Sequence, residues 1–542
     1  MRMTMQTVAA LPHLSWLAEV DLAGASARVL HGDWVETGAN FFIEGAWSGA
    51  YAQGAFDRCD SVFGSGAVLR GGQLVFVSSS TTTDYLFYRR LGAQLLVSNS
   101  LACLLARSGD ALDPHDTGHV RNCESISQGI DDYQAAVPTR QGGVQRLMFR
   151  NLVVDGATLQ LADKPLCAPF ADYAGYTGFL RERYGALMDN ARDRARRRPL
   201  QILSTQSKGY DSTAVNALAA PFGVDRVFTV SHSKGSGAFA EHDAAGQGDD
   251  DGSDIARQLG LPCLAIERRS FKEELPDEYL YFAGLTNCED LNFVGITRHI
   301  TQPSLLLTGT LGELFYERSR YGDFFPGRSI GTELRRGDLG GGHGLTEVRL
   351  QNGFVQVPLL YIGAQQRDSI ASITAAAEMQ PWRLGTSYDR PVPRRMAEEA
   401  GVARASFGQK KMASVVSYAR PNLPQGAALR AAFLGFLREQ RLLAPWQTPL
   451  FRWVHRYNAL AWFATPVRHR WFYLLSRVSA RLAGRPLGLL WTRLDGALYC
   501  YCVSRRKQDY AEALAPAGMP AEREPAAAAA AQQPAAAPST ST

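Results

Sequence analysis

Leu200-Gln201-Ile202-Leu203 runs into Ser207-Lys208-Gly209-Tyr210-Asp211-Ser212, and an apolar-patterned helix follows from Thr213 to Ala220. This order reads as a strand, a short loop carrying one glycine and two hydroxyls, and a helix. The first N–H groups of a helix have no partner within it, and the helix dipole favours negative charge at that end. The loop is therefore suited to phosphate. Asp211 places a carboxylate beside the same position, and a carboxylate next to phosphate needs a cation between them, for which Mg²⁺ is the expected ion. The bland alternative for Asp211 is to cap the helix.

Outward from the loop, residues 200 to about 310 alternate strand and helix patterns. Val227-Phe228-Thr229-Val230, Cys263-Leu264-Ala265-Ile266 and Leu305-Leu306-Leu307 read as strands. Ser253 to Leu259, Glu274 to Leu285 and Phe293 to Ile300 read as helices. Such alternation builds a parallel α/β sheet, whose ligands bind outside the carboxyl ends of its strands. Upstream, residues 27 to about 165 hold short alternating runs such as Leu74-Val75-Phe76-Val77 and Leu95-Leu96-Val97-Ser98, split by glycine turns; these predict mainly antiparallel β-structure. Tyr173 to Arg198 changes to helical spacing and ends in five arginines, read as a solvated helix terminus rather than a nucleic-acid patch. Residues 366 to 418 read as helical with a break at Arg390-Pro391-Val392-Pro393.

The chain has 542 residues, enough for two or three domains. Its net charge of +5 is too small for that size to argue for nucleic acid. The eight cysteines, at 59, 103, 123, 167, 263, 288, 500 and 502, are scattered and suit free thiols in a reducing cytoplasm. No targeting segment stands out, and no run has the roughly 18 apolar residues that would span a bilayer. Residues 428–510 are aromatic and basic: core or oligomer-facing helices with snorkelling arginines are one reading, and peripheral contact with a membrane surface is the other. The Ala/Pro-rich tail, residues 516–542, reads as disordered.

Ser207-x-Gly209-x-Asp211-Ser212 resembles the pyrophosphate loop of the asparagine synthetase family. Further segments resemble that family in the same order: Phe63-Gly64-Ser65-Gly66, Val97-Ser98-Asn99-Ser100-Leu101, Asp254 to Pro262, Leu306-Leu307-Thr308-Gly309, Arg394 to Gly401 and Phe407-Gly408-Gln409-Lys410-Lys411. The resemblance implies an α/β plus α+β protein with an N-terminal Ntn-hydrolase-like, glutaminase-type β-rich domain over 1–165. A parallel-sheet PP-loop synthetase domain of the adenine nucleotide alpha-hydrolase type would follow over 173–425, then a helical region over 426–515. It implies ATP and Mg²⁺, a carboxylate activated as an acyl-adenylate, and capture by ammonia or a substrate amine.

On that scheme Ser207, Lys208, Gly209, Tyr210, Asp211 and Ser212 would hold pyrophosphate, and Val230 and Ser231 would offer backbone edges to adenine. Asp211 and Glu313 would hold the metal, Lys410 or Lys411 would supply positive charge, and Glu289 or Asp290 would accept the amine proton. Each has an ordinary rival: helix-start acids for Glu289 and Asp290, a surface pair for Lys410 and Lys411. Asp249, Asp250 and Asp251 read as a solvated acidic run, and His232 as a structural histidine.

Three departures from the family's pattern stand out. Lys208 sits where the family has glycine. The turn after the fourth strand reads Gly309-Thr310-Leu311-Gly312-Glu313-Leu314, with fewer acids than the family's. The first residues are Met1-Arg2-Met3-Thr4 and the first cysteine is Cys59, so glutamine hydrolysis by an N-terminal thiol is not expected. Two readings follow: an amide-forming ligase without its own glutaminase, or a catalytically weakened nucleotide-binding relative acting as an interaction or regulatory protein.

Overall fold

The computed structural model describes residues 1–125, 133–231, 250–267, 277–284, 293–310, 312, 345–386, 388–409, 424, 426–444, 453, 470–484 and 494–515. The N-terminal part is two stacked sheets, as its alternating runs require. In the first, seven strands lie in the order Arg2–Thr7, Ser26–His31, Trp16–Asp21, Gln94–Ser98, Leu86–Leu91, Gly142–Leu147 and Ala136–Thr139. In the second, six lie in the order Thr158–Asp163, Arg150–Asp155, Gln73–Val77, Val62–Arg70, Phe41–Trp47 and Glu36–Thr37. All neighbours are antiparallel except the edge pair Arg2–Thr7 and Ser26–His31.

Side-chain alternation sorts each strand's residues into two cores. Trp16, Val97, Phe42 and Phe76 fill the space between the sheets. Leu17, Leu96 and Phe87 face outward onto the helix Leu101–Ser108, and the helix Tyr173–Ala191 packs against Phe41–Trp47. Gly64 and Gly45 meet across the second sheet at φ +86° and +151°. A Cβ on either would stand within 2 Å of a carbonyl oxygen, so both positions require glycine.

The second part is built on five parallel strands in the order Cys263–Glu267, Arg226–Ser231, Gln201–Thr205, Ser304–Thr308 and Phe354–Pro358. The three expected strands and the loop's own strand are all present. Phe354–Pro358, buried throughout, extends the sheet beyond what the pattern suggested. The first strand in sequence lies at the centre, between the second and the fourth, so the strand order reverses beside it. That is the topological switch point of a doubly wound sheet.

The two parts share one continuous apolar core, from Leu17 and Leu101 through Ile202 and Leu305 to Tyr499 and Tyr510. Charged groups also cross the junction. Arg349, in the helix Thr346–Asn352, is buried between Glu44 and Asp84, giving Nη1 to Glu44 Oε2 at 2.9 Å and Nε to Asp84. Removing one partner of such a buried set costs about 3–5 kcal/mol, because the other charge is left uncompensated.

Of the five arginines after Tyr173–Ala191, Arg194, Arg197 and Arg198 are exposed as their spacing suggested, but Arg196 is buried. The helix stops at Ala191, and Arg196 turns inward to Asn190 O at 2.6 Å and Gly45 O at 2.9 Å, over the ring of Tyr51. Arg197 reaches Val35 O at 2.7 Å. These guanidiniums satisfy backbone carbonyls at the junction of the two parts. Residues 426–515 divide in the same way: Leu429, Phe433 and Leu437 of Ala427–Glu439 are buried, and so are Tyr499, Cys502 and Tyr510 of Leu494–Leu514, whose Arg506 donates to Glu347 Oε2 at 2.9 Å. No helix among the described residues is long and apolar enough to cross a membrane. The expected disordered tail lies outside the described residues.

Candidate functional site

The loop starts where the buried central strand Gln201–Thr205 ends and leads into the helix Tyr210–Ala219, with Gly209 in extended conformation as its N-cap. The loop's own side chains and neighbours take its N–H groups. Ser207 N donates to Ser212 Oγ at 3.0 Å, Gly209 N to Ser207 Oγ at 3.1 Å, and the two hydroxyls lie 2.9 Å apart. Lys208 N donates to the Asp250 carboxylate at 2.8 Å. A carboxylate oxygen thus stands at an N–H that the sequence assigned to phosphate. Asp211 N and Ser212 N follow in the first helical turn, where helix geometry provides no acceptor.

Four segments distant in sequence converge on this loop. After the fourth strand, Gly309 and Gly312 pack against it so closely that a Cβ on Gly309 would lie 2.7 Å from Ser212 N, and one on Gly312 2.8 Å from Asp211 Oδ1. The turn at the switch point therefore touches the helix start by backbone. Asp250 to Gly252 close in from the second strand, with Gly252 N bonded to Thr229 Oγ1 at 2.8 Å. The Tyr388 ring packs tilted against Tyr210, their centroids 4.8 Å apart. Last, Gly408 N donates to Lys208 O at 2.8 Å, and Arg394, fully buried, spans the Tyr210 hydroxyl and Gly408 O.

Charge at the site is set by Arg390. Its Nη1 reaches both oxygens of Asp211, at 2.9 and 2.6 Å, and the guanidinium is 2% exposed. The cation beside Asp211 is therefore a guanidinium. Among the described residues no three His, Cys, Asp or Glu side chains come together as a metal site, and Glu313, the second expected ligand, lies outside them. Of the two expected metal ligands, only Asp211 belongs to the described residues, and there it is held by Arg390. Burial raises the phenols of Tyr210 and Tyr388 above their ordinary range, so both keep their protons. Tyr210 needs its proton to donate to Tyr388 O at 3.4 Å.

Of the remaining expected residues, Val230 and Ser231 end the strand beside the loop, half-buried, with Ser231 Oγ bonded to Ile266 O at 3.4 Å. Lys410 and Lys411 lie outside the described residues, although Phe407-Gly408-Gln409 before them is pinned to the loop. Glu289, Asp290, His232 and Asp249 also lie outside them. The solvated acidic run does not hold for its described members. Asp250 is buried on Lys208 N, and Asp251, half-buried, accepts at Oδ1 from Ser253 N at 2.9 Å. Cys59 is half-buried, and burial together with Asp60 and Asp57 pushes its thiol up to about 11, so it carries no thiolate at neutral pH.

Sequence reasoning gave no site role to Tyr388 or Arg390, read Asp250 as solvated, and named Arg394 only within a family-like segment. Pro391 was the available signal: proline at the first helical position begins Pro391–Glu399 rather than breaking a helix, and that places Arg390 at the entry. No protein-family model matches this chain, and no curated protein matches it.

Proposed function

We propose that the chain is an ATP-dependent ligase that joins a carboxylate to ammonia or an amine, with pyrophosphate held on residues 207–212. One observation carries this reading: the glycine-containing loop and helix start lie at the switch point of a five-stranded parallel sheet, with the turn after the fourth strand packed on them by backbone. A PP-loop synthetase domain behind an Ntn-hydrolase-like double sheet, as in the asparagine synthetase family, accounts for both parts of the fold.

The substrate carboxylate oxygen attacks the α-phosphorus of ATP, and the bond to the bridging oxygen breaks with release of pyrophosphate. Amine nitrogen then attacks the acyl carbon, AMP leaves, and the amine proton passes to a base, for which Glu289 or Asp290 is proposed. Arg390 neutralises Asp211, so the loop meets the polyphosphate without a bare carboxylate. Asp250 must release Lys208 N–H for a phosphate oxygen to take its place. Ser207 and Ser212 hold the loop's curvature, and Lys410 or Lys411 supplies positive charge next to an anchored segment. Magnesium, which such chemistry uses on the nucleotide, would depend on Glu313.

ATP–pyrophosphate exchange by the full chain across a panel of carboxylates tests the reading. Exchange with at least one of them is expected. Absence of both exchange and ATP binding would sink the proposal. The second reading, a nucleotide-binding regulatory relative, draws on the self-occupied loop donors and the acid-poor 309–314 turn; it predicts ATP binding with no exchange.

A further inference from the structure

We infer that the helix Arg470–Ala483 is a docking surface for an anionic lipid bilayer, a role separate from the ATP site. Trp471, Leu474, Leu475, Val478 and Leu482 are all exposed, Trp471 at 81% and Leu482 at 84%. At about 100° per residue these five fall within one stripe about 100° wide, so a single apolar face is presented to solvent. Folded helices ordinarily turn such a face inward, as Ala427–Glu439 does with Leu429, Phe433 and Leu437.

Charge identifies the occupant. By the same spacing Arg477 and Arg481, both exposed, line up along one border of the stripe, where their heads meet a headgroup layer while the stripe enters the acyl boundary. Residues 440–494 contain nine arginines and not one Asp, Glu or Lys, in a chain whose net charge is only +5. A protein partner or second copy bearing a mixed-charge face would not require so one-signed a segment. A sheet of lipid phosphates does, and it also favours tryptophan at the interface.

Co-sedimentation of the full chain with vesicles tests this, comparing phosphatidylcholine alone with an equimolar phosphatidylcholine–phosphatidylglycerol mixture. Binding to the mixture and not to phosphatidylcholine is expected, weakening with added salt. Trp471→Ser/Leu475→Ser should reduce binding by at least about tenfold, since each side chain leaves hydrocarbon. Both positions are exposed, so far-UV circular dichroism should not change. Arg481→Gln should narrow the preference for the anionic mixture without abolishing sedimentation. Equal binding to both vesicles, binding to neither, or an unchanged double variant would overturn the inference. Lipid-free dimers that the double variant abolishes would assign the face to a second copy instead, and equally overturn it. ATP–pyrophosphate exchange without lipid should be the same in all variants, which separates this result from that of the proposed ligase.

Discussion

Breaking the pair between Asp211 and Arg390 should loosen the loop far more than either residue's size suggests. Arg390 is 2% exposed, and the Asp211 side chain is 13% exposed, so water screens the pair little. At an effective dielectric of 20, unit charges about 4 Å apart attract by about 4 kcal/mol, before the cost of desolvation. Arg390→Met leaves a carboxylate against the helix start with no cation, and should cost about 3 kcal/mol, the low end for a buried pair because Asp211 retains some contact with water. Asp211→Asn keeps the shape but removes the negative charge beside the guanidinium, at a similar cost. The double variant removes both charges and should recover most of the loss, giving a coupling of about 2 kcal/mol or more. Native-state hydrogen exchange of the amides in Tyr210–Ala219 reports local opening free energy and suits this cycle. Single-variant effects that add to within about 0.5 kcal/mol would refute the reasoning, since residues in one charge pair cannot be independent.

Asp250→Asn keeps an acceptor for Lys208 N–H but removes a negative charge from the phosphate position, so ATP should bind about tenfold more tightly, the equivalent of about 1.4 kcal/mol; calorimetry giving weaker binding would count against that placement. Gly309→Val drives a Cβ into backbone at 2.7 Å, which cannot yield as a flexible side chain would; ATP binding should be lost and stability should fall by about 1–3 kcal/mol in urea unfolding. Lys164 is fully buried on Asn151 Oδ1, and burial lowers its ammonium to about 7. Between about pH 7 and pH 10 the unfolded chain holds this proton and the folded one does not, so its contribution to stability rises with pH by at most about 1.4 kcal/mol per unit. Lys164→Met should flatten that slope and raise stability at neutral pH; an unchanged slope would show that Lys164 is charged when folded.

The parallel sheet was legible because Leu203, Phe228 and Leu306 lie in short apolar runs bounded by turns, a pattern that buried strands impose on local sequence. The loop was legible because strand, glycine and helix are contiguous. Asp250, Tyr388 and Arg390 were not, since their partners Lys208, Tyr210 and Asp211 are 42, 178 and 179 residues away, and spacing carries no signal over such distances. Arg196 misled for a related reason. A cluster of positive charge at a helix end has a sufficient local explanation in the dipole, while the carbonyls that recruit Arg196 and Arg197 belong to another part of the chain. Phe354–Pro358 went unseen because Gln356 interrupts an otherwise apolar run, although it is buried and bonded to Thr308 at 3.3 Å.

Hydrogen–deuterium exchange of the full chain with and without ATP tests the central claim most directly, because it reads the loop itself. Slowed exchange in peptides covering Lys208 to Thr213 and the turn from Gly309, reproduced by pyrophosphate alone, is the predicted result. Tight ATP binding that leaves those peptides unchanged, or no ATP binding at all, would contradict the account.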